Sequence, residues 1–130
     1  MENIRVPVSP GEVLDKITIL EIKSERISDP DKLVNVRTEL ALLQKTWAES
    51  IAEDDTIRSL HVQLKEINEA LWEIEDDIRD KERDKEFDER FIELARAVYF
   101  TNDRRSEVKK KLNLHLGSEI VEEKSYQDYT

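Results

Sequence analysis

The most regular pattern in the chain lies between residues 57 and 78, where aliphatic residues recur every three or four positions. They are Ile57, Leu60, Leu64, Ile67, Leu71, Ile74 and Ile78. This spacing is typical of a helix that packs along one continuous seam. Because residues 56–85 contain no Gly and no Pro, the pattern predicts a helix over that whole stretch, about 45 Å long at about 1.5 Å per residue.

A second stretch predicts the partner helix, over residues 88–116. Asp88 is placed to cap its start, and Gly117 to cap its end. Its seam comprises Phe91, Leu94, Val98, Thr101, Arg105, Val108 and Leu112. Since a short connection favours antiparallel neighbours, residues 56–85 and 88–116 are expected to form a long helical hairpin.

Two shorter helices are predicted before the hairpin. Ser9, Pro10 and Glu12 are typical of a helix start, and they begin a helix over residues 10–27. Pro30 begins the next, over residues 30–51. Residues 2–8 alternate between apolar and polar and predict a short extended segment lying on the helical body, and the tail beyond Gly117 is expected to dock. The predicted fold is all-α, with four helices in one domain over residues 1–130.

Composition agrees with this prediction and excludes several classes of function. Charged residues make up 40% of the chain and hydrophobic residues 38%, with two Gly and three Pro, as in long amphipathic helices. The absence of cysteine rules out disulfides, thiolate zinc sites and a cysteine nucleophile. The net charge of −10 opposes nucleic-acid binding. The short apolar runs and the lack of a signal peptide predict no membrane contact and a cytoplasmic location.

Polar residues interrupt the fourth helix's seam at Thr101 and Arg105. If the hairpin folds back at residues 86–88, facing positions sum to about 174, to within roughly one turn of 3.6 residues. This register brings together a polar cluster of candidate ligand-binding residues: Asn68, Trp72, Glu75, Arg79, Tyr99, Asn102, Asp103 and Arg105.

Two interpretations of this cluster follow from the cost of burying an unpaired charge. In the first, Arg105 forms an ion pair with Glu75 or Asp76, Glu75 being the preferred acceptor, and Asn68 and Asn102 fix the register of the helices. In the second, the cluster lines a cleft for an anionic or sugar-like ligand, because Arg suits carboxylate and phosphate groups. An ion-paired Arg105 without an adjacent cavity would favour the first interpretation.

Other chemistry has weaker support in the sequence. His61 and His115 are the only histidines, and neither belongs to the Glu-x-x-His pair of carboxylate-bridged di-iron helix bundles. The acidic run Glu69, Glu73, Asp76 and Asp77 is similar to the magnesium-binding helices of all-α nucleotide pyrophosphohydrolases. The facing helix, however, supplies Asn102 and Asp103 followed by two arginines, so a solvated acidic face is the favoured interpretation. No metal, cofactor or catalytic residue is predicted.

Several segments resemble an uncharacterised family of small all-helical bacterial and phage proteins. They are VSPGEVLDKITILEIKSERI near the start, LWEIEDDIRDKE and FDERFIELARAVYFTNDRR in the hairpin, and EEKSYQDY near the end. The resemblance implies that the hairpin and the tail belong together. It carries over no activity and no catalytic residue.

Two functions remain open at this stage. The first is a non-enzymatic interaction or scaffold protein, a homodimer or bound to another protein, because the first two helices have more apolar surface than one hairpin covers. The alternative is a small-ligand binder or a simple enzyme acting on an anionic, phosphorylated or sugar-linked compound at the polar cluster.

Overall fold

The computed structural model describes residues 1–129 and confirms the all-α fold. Its four helices are α1 (Pro10–Arg26), α2 (Pro30–Ser50), α3 (Asp55–Arg83) and α4 (Glu89–His115). Each boundary lies within two residues of the predicted one. No strand occurs in the described residues, and no helix among them is long and apolar enough to cross a membrane.

The predicted caps fix the helix ends. The Ser9 hydroxyl accepts the Glu12 N–H at 3.2 Å, and the Asp88 carboxylate accepts the Phe91 N–H at 3.0 Å. After α4, Gly117 adopts a φ of 65°, in the left-handed region that glycine favours. The two capping side chains satisfy backbone N–H groups that the first turn of a helix leaves without partners.

Helices α3 and α4 form the antiparallel hairpin, and α1 lies in the groove between them. At its start Gly11 donates its N–H to Asn113 of α4 at 2.7 Å. At its end Arg26 lies 3.3 Å from Glu73 of α3. Gly11 permits this close packing, because a Cβ atom there would lie 2.8 Å from the Lys109 carbonyl oxygen.

The core is continuous across the four helices. It consists of Leu14, Ile17, Trp47, Ile57, Leu60, Leu64, Ile67, Leu71, Val108 and Leu112. Helix α2 supplies only Trp47 to this cluster. The backbone of α2 approaches that of α1 alone among the helices, so α2 covers the outer side of α1.

The two chain ends behave differently. Ile4, Val6 and Val8 are 46–77% exposed, so the prediction that this segment lies on the helical body is wrong for these side chains. The tail does dock: Glu122 lies 3.3 Å from Lys109, and the Tyr129 ring lies 5.1 Å from that of Phe100. These contacts bring the tail against the hairpin, as the resemblance implied.

Candidate functional site

An open cleft lies where α1 ends and the hairpin continues beyond it. We call it the α1–α3–α4 cleft; its volume is about 650 Å³. Helix α1 contributes Ile19, Ile22 and Lys23. The hairpin contributes Asn68, Leu71, Trp72, Glu75, Asp76, Arg79, Asn102 and Arg105. The cleft exists because α3 and α4 extend past Arg26, the last residue of α1.

The structure brings six of the eight candidate residues to this cleft. They are Asn68, Trp72, Glu75, Arg79, Asn102 and Arg105. Tyr99 and Asp103 lie elsewhere: the Tyr99 ring contacts that of Tyr129, and the Asp103 carboxylate accepts the Tyr129 hydroxyl. Helical geometry explains the difference, because Tyr99 and Asp103 lie about 120–160° around α4 from Arg105 at about 3.6 residues per turn.

The partner of Arg105 differs from the prediction. Arg105 is half-buried and donates from Nη1 to the Asn68 side-chain oxygen at 3.4 Å. Glu75 pairs instead with Arg79 of its own helix, at 3.4 Å. In residues 1–129 no carboxylate lies within the 4.0 Å ion-pair distance of Arg105. The predicted ion pair between Arg105 and Glu75 is therefore wrong, because the amide of Asn68 occupies the acceptor position.

A buried polar layer, which we define as Asp15, Thr18 and Asn68, supports this arrangement. The Asn68 amide nitrogen donates to Asp15 and to the Thr18 hydroxyl, both at 2.9 Å. The three residues are at most 6% exposed. No buried side-chain N or O atom in the described residues lacks a hydrogen-bond partner, so the polar layer is internally satisfied.

Sequence reasoning missed Asp15 and Thr18. A signal exists in the sequence, because Gly11, Asp15, Thr18 and Ile22 step by four, three and four residues and form a second face of α1. All of them are buried. The first face, which includes Leu14 and Ile17, is aliphatic and therefore predicts burial, whereas the second is polar at its centre.

Lys109 balances the charge of Asp15. Its amino group lies 2.8 Å from Glu12 and 3.9 Å from Asp15. Burial opposes the positive charge, but the hydrogen bond to Glu12 and the charge of Asp15 outweigh it and raise the pKa of Lys109. The carboxylate of the polar layer therefore has a cationic neighbour other than Arg105.

The walls of the cleft combine cationic, aromatic and acidic groups. Lys23 is half-buried and has no carboxylate within 4.0 Å in the part of the chain that the structure describes. Trp72 presents an aromatic surface, with the Arg26 guanidinium 6.0 Å from its ring centre. Asp76 and Asn102 supply acceptors for hydroxyl groups. Such a set suits a ligand with an anionic group and a polar body.

No group of three or more His, Cys, Asp or Glu side chains within residues 1–129 is arranged to hold a metal ion. The polar side chains that line the cleft are cations, amides and two carboxylates, Glu75 and Asp76.

Comparison with known proteins identifies the family. The model of a family of unknown function, DUF6165, matches residues 4–129, and the chain belongs to that family. No curated protein and no solved structure matches it.

Proposed function

We propose that this chain is a cytoplasmic binding protein that takes a small anionic compound, phosphorylated or sugar-linked, in the α1–α3–α4 cleft. The observation that carries the proposal is the state of Arg105. Its guanidinium lies half-buried at a cleft of about 650 Å³ and has only a neutral amide as its hydrogen-bond partner in the described residues.

The energetics of guanidinium groups support this choice. Removing charge from water is costly unless an opposite charge or good hydrogen bonds replace the water. The bond from Arg105 to Asn68 is long at 3.4 Å, and a guanidinium has five N–H donors. Phosphate and carboxylate ligands offer the paired acceptors that match this fork. Arg105 therefore has donors available for an incoming anion.

The remaining lining groups favour a polar body on the ligand. Lys23 adds a second cation from α1, and Trp72 offers an aromatic surface of the kind on which a ring can pack. Asp76 can accept hydrogen bonds from hydroxyl groups, and its charge disfavours a second anionic group beside it. This polarity supports a compound with one anionic end and one hydroxylated end.

A thermal-shift screen tests the proposal, using inorganic phosphate, nucleotides and sugar nucleotides. A ligand at about 100 times its dissociation constant should stabilise the fold by about 2.7 kcal/mol. Arg105→Gln should lose the response. Arg104→Gln is the matched control, because Arg104 is the exposed neighbour on the same helix and does not line the cleft. Equal responses from the two variants would contradict the proposal.

A second function, self-association through α2, is favoured by a separate observation. Val34 and Leu42 of α2 are 63% and 48% exposed, and α1 is the only helix whose backbone α2 approaches. Helix α2 contains three acidic and three basic residues, so it is neutral in a chain of net charge −10. Two copies can therefore bring their α2 helices together without the repulsion that other surfaces would cause.

Light scattering tests this second function, since a dimer has twice the 15.3 kDa mass of the chain. Leu42→Glu should shift the protein towards the monomer. Val62→Glu is the control, because Val62 is a similarly exposed aliphatic residue, 57% exposed on α3. A wild-type protein that stays monomeric at high concentration would eliminate the dimer.

A further inference from the structure

We infer that Asp15 and Asn68 keep Arg105 available to an anion in the α1–α3–α4 cleft, by facing Arg105 with an amide and keeping the carboxylate behind it. This inference rests on the proposed function, because it concerns how the same site remains available to a ligand. It assigns a positioning role to two buried residues, of which only Asn68 lines the cleft.

The chemistry of the polar layer fixes the orientation of the Asn68 amide. An ionised Asp15 carboxylate only accepts hydrogen bonds, so the amide nitrogen must face it. The Thr18 hydroxyl donates to the Asp15 carbonyl oxygen at 2.8 Å, so towards Asn68 it acts as an acceptor. Both amide protons are thereby used, at 2.9 Å each. The amide oxygen is left to face Arg105.

The position of the Asn68 amide between Asp15 and Arg105 separates the Asp15 carboxylate from the Arg105 guanidinium. Asp15 contacts Asn68 on one side, and on the other it lies 3.9 Å from Lys109. Arg105 contacts only the amide oxygen of this layer. If the acid and the amide exchanged places, a buried carboxylate would face Arg105 and occupy it as an internal ion pair. The same atoms would then form a structural contact, and Arg105 would no longer be available to a ligand.

The arrangement does not give Arg105 its strongest internal partner. A guanidinium binds a carboxylate more tightly than a neutral amide, so a layer selected for cohesion alone would place the acid at position 68. Sites that bind ligands commonly leave such interactions unmade within the protein. The exchanged arrangement should therefore keep the stability of the fold and lose ligand binding. If the layer had a purely structural role, binding would be lost only together with stability.

The test is the double variant Asp15→Asn/Asn68→Asp, which conserves net charge and side-chain size. Calorimetric titration with inorganic phosphate should show binding weakened by at least about tenfold, the loss expected when one charge-assisted contact is removed. The melting temperature should be equal to or higher than that of the wild type. Asp15→Asn alone should keep phosphate binding, because position 68 still presents an amide.

A second variant covers the case in which the double variant fails to fold. Asn102 is half-buried and three residues before Arg105, so Asn102→Asp supplies a carboxylate to the guanidinium within one helix and outside the polar layer. It should weaken phosphate binding in the same way. Arg104→Gln lowers the net charge by the same amount and serves as its control.

The outcomes separate this inference from the proposed function. If Arg105→Gln abolishes phosphate binding while the double variant and Asn102→Asp bind like the wild type, the inference is overturned and the proposed function stands. If the wild type does not bind phosphate or any compound of the screen, or Arg105→Gln binds it unchanged, the proposed function itself fails. Loss of binding in folded Asn102→Asp and in the double variant supports both.

Discussion

His61 is the residue through which pH acts on the contact between α3 and α1. Its Nε2 atom lies 2.8 Å from the Glu21 carboxylate. The hydrogen bond to Glu21, opposed by partial burial, raises the pKa of His61 above 6.5. Glu53 raises it further, and Lys65 lowers it.

A histidine whose pKa rises on folding stabilises the protein below its unfolded pKa, and this stabilisation is lost as pH rises through the folded pKa. We expect the contribution of His61 to the free energy of unfolding to fall as pH rises from 6.5 through the raised folded pKa, by less than about 1 kcal/mol for a partly exposed pair. Urea denaturation of the wild type and His61→Gln across this pH range measures it. A difference between the two proteins that does not change with pH would contradict the assignment.

Tyr129 reports whether the tail is docked on α4. Its hydroxyl donates to the Asp103 carboxylate, and this bond raises the pKa of Tyr129 to about 12. In a titration of tyrosine labelled with ¹³C at Cζ, Asp103→Asn should move this pKa back towards 10.0, its ordinary value. The same Tyr129 pKa in the wild type and the variant would mean that the tail does not make this contact in solution.

The location of the polar cluster was predictable, but the partner of Arg105 was not. The interrupted seam and the hairpin register identified Asn68, Asn102 and Arg105 as neighbours, and all three line the cleft. The choice of Asn68 over Glu75 depends on Asp15 and Thr18, which fix the amide from α1. Heptad spacing within the hairpin carries no information on how α1 aligns with it, so this contact was beyond the sequence.

At the scale of elements, the turn of the hairpin contains a strained position. Lys85 has a φ of 56° and is the only non-glycine residue with a positive φ in the described chain. The left-handed region costs such a residue about 1–2 kcal/mol. Glycine avoids this cost, but part of the gain is offset because glycine increases the conformational entropy of the unfolded chain. Lys85→Gly should therefore stabilise the protein by about 0.5–1 kcal/mol in urea denaturation. Lys85→Ala keeps the strain and should bring no such gain; equal gains from both variants would count against the explanation.

Gly11 controls the packing of α1 against α4. An added Cβ would lie 2.8 Å from the Lys109 carbonyl and 2.9 Å from the Asn113 side chain. Replacing Gly with Ala inside a helix normally stabilises it by about 0.5–1 kcal/mol. Here we expect Gly11→Ala to destabilise the protein by about 1–3 kcal/mol, because backbone atoms of α4 must move. A higher melting temperature for this variant would show that the two helices are not in close contact.

The helices themselves were well predicted because local signals determine them. Caps at Ser9 and Asp88 and the regular seam of α3 required no knowledge of tertiary contacts. The second face of α1 was not predicted, because Asp15 and Thr18 are typical of solvated positions until the hairpin is placed over them. The N-terminal segment was misjudged for a related reason: alternation predicts an extended segment but does not supply a surface that covers it.

At the scale of the whole molecule, unequal helix lengths create the site. Helix α1 has 17 residues, and α3 and α4 have 29 and 27. Because α1 cannot cover the full hairpin, the groove between α3 and α4 opens at Lys23 into the α1–α3–α4 cleft. Sequence predicted these lengths closely, but the cleft follows only once α1 is known to lie in that groove.

The central claim is that Arg105 is available to bind an anion from solution. The most direct measurement is an NMR titration of the arginine side-chain N–H resonances with inorganic phosphate. We predict saturable shifts of the Arg105 resonances, with those of the exposed Arg104 changing little. Unshifted Arg105 resonances at high phosphate, or shifts at Arg104 of the same size, would contradict the account.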